Sequence, residues 1–73
     1  MDGTEERAWV IERHINSVLH YWTGMGAEGF YHEDKSACRF AREQDAQRVL
    51  RHCLTGHGRV AEHVWLNKPE KKP

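Results

Sequence analysis

The chain has 73 residues, and its 11 Lys+Arg balance its 11 Asp+Glu, leaving no formal charge at pH 7. That length carries one small domain and no second core, and the neutral balance argues against a generic binder of nucleic acid or membrane surfaces. No apolar run approaches the roughly 20 residues of a spanning helix; Trp9-Val10-Ile11 is typical of those present.

The opening Met1-Asp2-Gly3-Thr4-Glu5-Glu6 is acidic and lacks the apolar segment of a signal peptide. Two cysteines without an export signal point to free thiols in a reducing cytoplasm. Residues 1–6 are polar, and 67–73 contain no apolar side chain. Both are expected to be disordered tails around a single domain at 7–66. Within it the 38% apolar content, rich in Trp, Tyr and Phe, is enough to build a core.

Ala8–His14 is dense in β-branched and aromatic residues and reads as the first strand. Asn16 and Ser17 are turn formers, and Val18–Thr23 is the second strand, so the pair forms an antiparallel hairpin. Gly24–Gly29 is a glycine-rich loop, after which Phe30-Tyr31-His32 is extended as a short edge strand. The last strand is Val60–Leu66, entered through Gly58-Arg59.

Between these strands the periodicity is helical, but it changes phase. At about 100° per residue, Ala37, Phe40 and Ala41 share one stripe. Ala46, Val49, Leu50 and Cys53 share another, turned by about half a turn. One straight helix cannot bury both, so a break is predicted near Ala41–Arg42. A short turn at Lys35–Arg39 then precedes a main helix at Glu43–Leu54. Glu43 and Asp45 in the first turn, Arg51 and His52 in the last, and Gly56 beyond it suit those ends.

The fold class is therefore α+β: a three-stranded antiparallel sheet with one main helix on one face, in the order β-β-α-β. Alternation places Trp9 and Ile11 opposite Val10, Leu19 and Tyr21 opposite Val18 and Trp22, and Val60, Val64 and Leu66 opposite Trp65. Apolar side chains thus occupy both faces of every main strand, and one helix covers only one of them. The second face is expected to be covered from outside the monomer, a symmetric homodimer being the commonest solution.

Tyr21-Trp22-Thr23-Gly24, Gly29-Phe30, Asp34-x-x-Ala37-x-x-Phe40, Asp45-Ala46 and Val49-Leu50 together resemble a pattern of small phage and prophage proteins. In these an aromatic-Gly hairpin is followed by an Ala-x-x-Phe turn and an acidic-Ala helix. The resemblance covers residues 9–54. It implies a fold and a bacterial-host cytoplasm, and it supplies no catalytic residue. Many such proteins carry Ser or Thr where the helix begins; here the residue is Arg42.

Chemistry-bearing residues are scattered. Six histidines (His14, His20, His32, His52, His57 and His63) fall on strands, loop and helix end. Cys53-x3-His57, completed by Cys38 or His63, is the best zinc arrangement, yet it lacks the paired spacing of a zinc finger. The reading is therefore no metal and no cofactor. Cys53 and His57 lie across a helix stop, which is poor for a nucleophile and its base, and a Cys38–Cys53 disulfide, allowed by distance, is disfavoured by the absence of an export signal. Gly24-x-Gly26-x-x-Gly29 has a phosphate-loop spacing, but Phe30 opens a strand where that motif needs a helix.

The sequence thus reads as non-catalytic. It points to a small phage-type accessory protein binding another protein, or first itself, through an aromatic-rich sheet surface. Trp9, Tyr21, Trp22, Tyr31 and Trp65 are the candidate anchors, because Trp and Tyr dominate interface hot spots. The second reading is a nucleic-acid-binding regulator using Arg48, Arg51 and Arg59.

Overall fold

The first strand encoded is an inner strand of the sheet. In the computed structural model, which describes residues 4–67, β1 spans Thr4–Ile15. It pairs antiparallel with β2 (Val18–Trp22) on one side and β4 (Arg59–Asn67) on the other. The two-residue β3 (Phe30–Tyr31) pairs with the outer edge of β2, so the sheet has four antiparallel strands in the order β3-β2-β1-β4. One helix, α1 (Glu43–Cys53), packs on one face. The expected α+β class is the observed one, with a fourth, minimal strand added to the sheet.

The Asn16-Ser17 turn joins β1 to β2. Ile15 faces Val18, and Asn16 and Ser17 have φ of 53° and 69°. Two positive φ values in a two-residue loop make a type I′ turn, whose twist matches that of the strands. Beyond the helix, Gly58 opens β4 at φ +138°, and a Cβ there would meet the Glu12 carbonyl oxygen at 2.8 Å. Only glycine fits that approach.

β1 is buried on both sides. Val10 and Ile11 are adjacent and each 0% exposed, so successive side chains enter two different cores. Burial of each is worth roughly 1.5–3 kcal/mol. On one face Ile11 packs with Ala46, Leu50 and Leu54 of the helical region, bordered by Trp9, Trp22, Phe30, Phe40 and Val60. On the other, Val10 and Ala8 pack with Tyr21, Trp65 and Ala37.

The second face, expected to be covered from outside the monomer, is covered in part from within it. Its centre is covered by the chain itself. A 3-10 turn, η1 (Asp34–Ser36), lies against β2, and Ala37 is buried beside Val10. The chain then passes from one face of the sheet to the other in the place that β2 vacates. Cys38 N–H donates to the Trp22 carbonyl, and Trp9 and Phe40 exchange backbone hydrogen bonds of 2.8 and 2.9 Å. Phe40 thus occupies the next site along β1, with its ring on the helix face. The expected turn at Lys35–Arg39 is η1, and the expected break before the helix is this crossing.

α1 begins where predicted. Arg42 is its extended N-cap residue and makes no side-chain cap; its guanidinium pairs with Asp45 at 3.2 Å instead. Ala46 and Leu50, four apart, form the buried stripe. The helix ends at Cys53, one residue earlier than expected, as Thr55 and Gly56 turn to positive φ and Gly56 N–H donates to the Leu50 carbonyl.

The tail boundaries also change. Thr4–Glu6 are strand, paired with Trp65–Asn67. Their polarity fits a ribbon, and it is the distant pairing partner that orders them. Residues 1–3 and 68–73 of the expected tails lie outside the described residues. Replacing Ser17 by Gly relieves a left-handed conformation that disfavours a side chain, and is expected to raise the unfolding free energy by about 1 kcal/mol in urea melts.

Candidate protein-binding surface

The five aromatic candidates divide between the two faces. Trp9 and Trp22 lie on the helix face. There Trp22 stacks on Phe40 at 6.3 Å between centroids and donates its indole N–H to the Gly26 carbonyl at 2.8 Å. They are half-buried components of the helix-side core. Tyr21, Tyr31 and Trp65 share the other face. Tyr21 stands directly opposite Tyr31 in the β2–β3 register. Tyr31 is 44% exposed, whereas Tyr21 and Trp65 are buried.

Trp65 is held from three directions. Its indole N–H donates to the Asp34 carbonyl at 3.2 Å, His63 meets it edge-on at 4.6 Å, and the Arg39 guanidinium covers it at 4.0 Å. Arg39 also pairs with Glu6. Alternation explains the set: Glu6, His63 and Trp65 lie on the second face, and Arg39, one residue before the helix-face Phe40, points back to it. His63 Nε2 lies 2.8 Å from Asp34 Oδ2, and Tyr21 stands edge-on to His63 at 5.5 Å. A buried carboxylate, Glu12, is paired across the ladder with Arg59 at 3.2 Å.

Burial, with the nearby negative charges of Glu12 and Asp34, pushes the Tyr21 phenol above its ordinary value of 10.0. The site therefore presents a neutral phenol beside imidazole and indole rings, with Arg39, Arg59, Asp34 and Glu6 around them. It can offer flat aromatic edges and charge-assisted hydrogen bonds to another macromolecule. Its buried polar side-chain atoms all have hydrogen-bond partners among the described residues.

Asp34, Arg39, Glu12 and His63 were not singled out as site residues by the sequence. The available signal was the two-residue spacing of His63 and Trp65 and the acidic Glu12 within the apolar stretch Ala8–His14, both of which place polar groups on one strand face.

Other chemistry is dispersed. No group of three or more His, Cys, Asp or Glu side chains suited to a metal occurs among the described residues. Cys38 and Cys53 are free thiols, and burial pushes the Cys38 thiol upward, away from a reactive thiolate. The glycine-rich loop joins β2 to β3 and is tied by Thr23, whose N–H and hydroxyl both donate to the Gly29 carbonyl. Arg48 and Arg51 line a shallow depression with Glu43, Gln44 and Gln47 on the outer side of α1. Arg59 pairs with Glu12 on the opposite face of the sheet. The three arginines of the nucleic-acid reading therefore do not form one surface.

Comparison of the chain with protein-family models, with curated proteins and with solved structures finds no match.

Arg59→Ala leaves Glu12 without its cation and is expected to cost about 1–2 kcal/mol of stability. Adding Glu12→Gln should recover part of that loss, as a double-mutant cycle in denaturant would show. In a Tyr31→Phe variant, whose single phenol is Tyr21, ultraviolet titration is expected to give a midpoint above 10.

Proposed function

We propose that this chain is a non-catalytic protein-binding module, a small phage- or prophage-type accessory protein of the bacterial host cytoplasm. The observation that supports the binding reading is that Tyr21, Tyr31 and Trp65 share the face opposite α1, with Tyr31 exposed at one edge and Trp65 covered by Arg39 towards the other. Exposed aromatic groups beside paired arginines are the composition of interface hot spots. Tyr31 is the contact anchor. Tyr21 stands opposite it in the β2–β3 register, and further along the same face Arg39 over Trp65 gives the surface its charge. The phage context rests on the resemblance of residues 9–54 alone. No helix of the described residues is long and apolar enough to cross a membrane.

The nucleic-acid reading is the alternative, and the separation of Arg48 and Arg51 from Arg59 weighs against it. A mobility-shift assay with short DNA and RNA at low salt decides between them, since phosphate contacts are strongest there. Little or no shift is expected. Immobilised wild-type chain and a Tyr31→Ala/Arg39→Glu variant, challenged with lysate of a bacterial host, should differ in what they retain. Identical retention by both would refute the second face as the binding surface.

A further inference from the structure

The outer edge of β4 is unpaired, and its hydrogen-bonding pattern can be assigned. Trp9 spends both its N–H and its C=O on Phe40. Its pairing with Glu62 on the other side is therefore the non-hydrogen-bonded kind, and the kinds alternate along an antiparallel ladder. Glu6↔Trp65, Ala8↔His63 and Val10↔Ala61 then carry the bonds between β1 and β4. It follows that Val60, Glu62, Val64 and Leu66 direct their N–H and C=O groups outward. Among the described residues no backbone hydrogen bond reaches them.

This edge has few of the usual protections, its formal charges being confined to Arg59 and Glu62. It runs nine residues, from Arg59 to Asn67, with no proline and no lysine. Its Leu66 side chain is 63% exposed. We propose that β4 pairs antiparallel with β4 of a second copy about a two-fold axis at His63, joining two four-stranded sheets into one.

Three features favour a second copy in this register. First, His63 is the middle residue of β4, so a centre there pairs the whole strand. Outward-facing residues then meet outward-facing residues, Val60 with the partner's Leu66 and Glu62 with the partner's Val64. Each such pair exchanges two N–H···O bonds. Second, the side chains are complementary. On the second face Ala61 lies opposite the partner's Trp65, small against large. On the helix face the exposed Leu66 lands beside Val60, which borders the Ile11–Leu50–Leu54 core. The contact therefore extends an existing core. Third, the charges suit it. Each copy has no net charge, and this centre sets Arg59 opposite the partner's Asn67. A centre one residue earlier would oppose Glu62 to the partner's Glu62.

Both helices then lie on the same face, at opposite ends of the paired strands. The pairing uses an edge and leaves Tyr31 free, so it stands or falls separately from the second-face reading.

Sedimentation equilibrium on the full chain, from micromolar to millimolar, tests this. Wild type is expected to approach twice the monomer mass. Val64→Pro removes an outward N–H that the monomer does not use, and it should raise the dimer dissociation constant about a hundredfold or more. Leu66→Glu, at an exposed position, should weaken the dimer in a monomer with an unchanged circular dichroism spectrum. It decides the matter if Val64→Pro does not fold. A wild type that stays monomeric throughout overturns the proposal, as does a dimer that Leu66→Glu leaves intact.

Discussion

The backbone bridge between Trp9 and Phe40 is the constraint on which the rest of the architecture depends. β2 pairs with only the C-terminal part of β1, so the neighbouring site along β1 lies open. Phe40 closes it. Because that closing segment arrives from one face and departs on the other, a short chain supplies cover to both sides of its sheet. Without the bridge, Ala37 and η1 would have no fixed place over Val10, and α1 would have no fixed entry onto Ile11.

The same crossing builds the chemistry of the second face. Residues 34–39 bring a carboxylate and a guanidinium over strands that already carry Tyr21, His63 and Trp65. Asp34 engages His63 and Trp65, and Arg39 stacks on the indole. Exposed ion pairs contribute little individually. Here they are combined with a buried aromatic floor, so their value is positional: they keep flat rings in fixed orientations. A binding surface with few free rotors loses less entropy on engaging a partner.

Much of the architecture was legible because strand alternation and helical periodicity are local. The opposing sets along Trp9–Ile11, Leu19–Trp22 and Val60–Leu66 are observed as read, and the phase shift between Phe40 and Ala46 marked a real interruption before Glu43. What was not legible was long-range. Thr4–Glu6 have the composition of a tail and become strand through pairing near Asn67. The cover of the second face was assigned to another molecule because one helix covers only one face, and Ala37 and Phe40 were read as sharing one stripe. In fact three residues of extended chain put them on opposite faces of the sheet. Aromatic residues could be counted in the sequence, but their division between helix-side core and second face depended on that path. Asp34 and Arg39 carried no local mark of their meeting with His63 and Trp65.

The placement of β1 between β2 and β4 sets an order on synthesis. Made first among the described elements, β1 holds the two largest fully buried side chains, Val10 and Ile11. Its longest ladder is with β4, the last of the described elements to be made, and it runs from Thr4↔Asn67 to Glu12↔Arg59. At roughly 5–20 residues per second on the ribosome, β1 must wait for residues 59–67 before its second edge is satisfied. The nascent hairpin of β1 and β2 meanwhile carries an open edge and two unfilled apolar faces. Completion of this domain therefore waits on the emergence of β4.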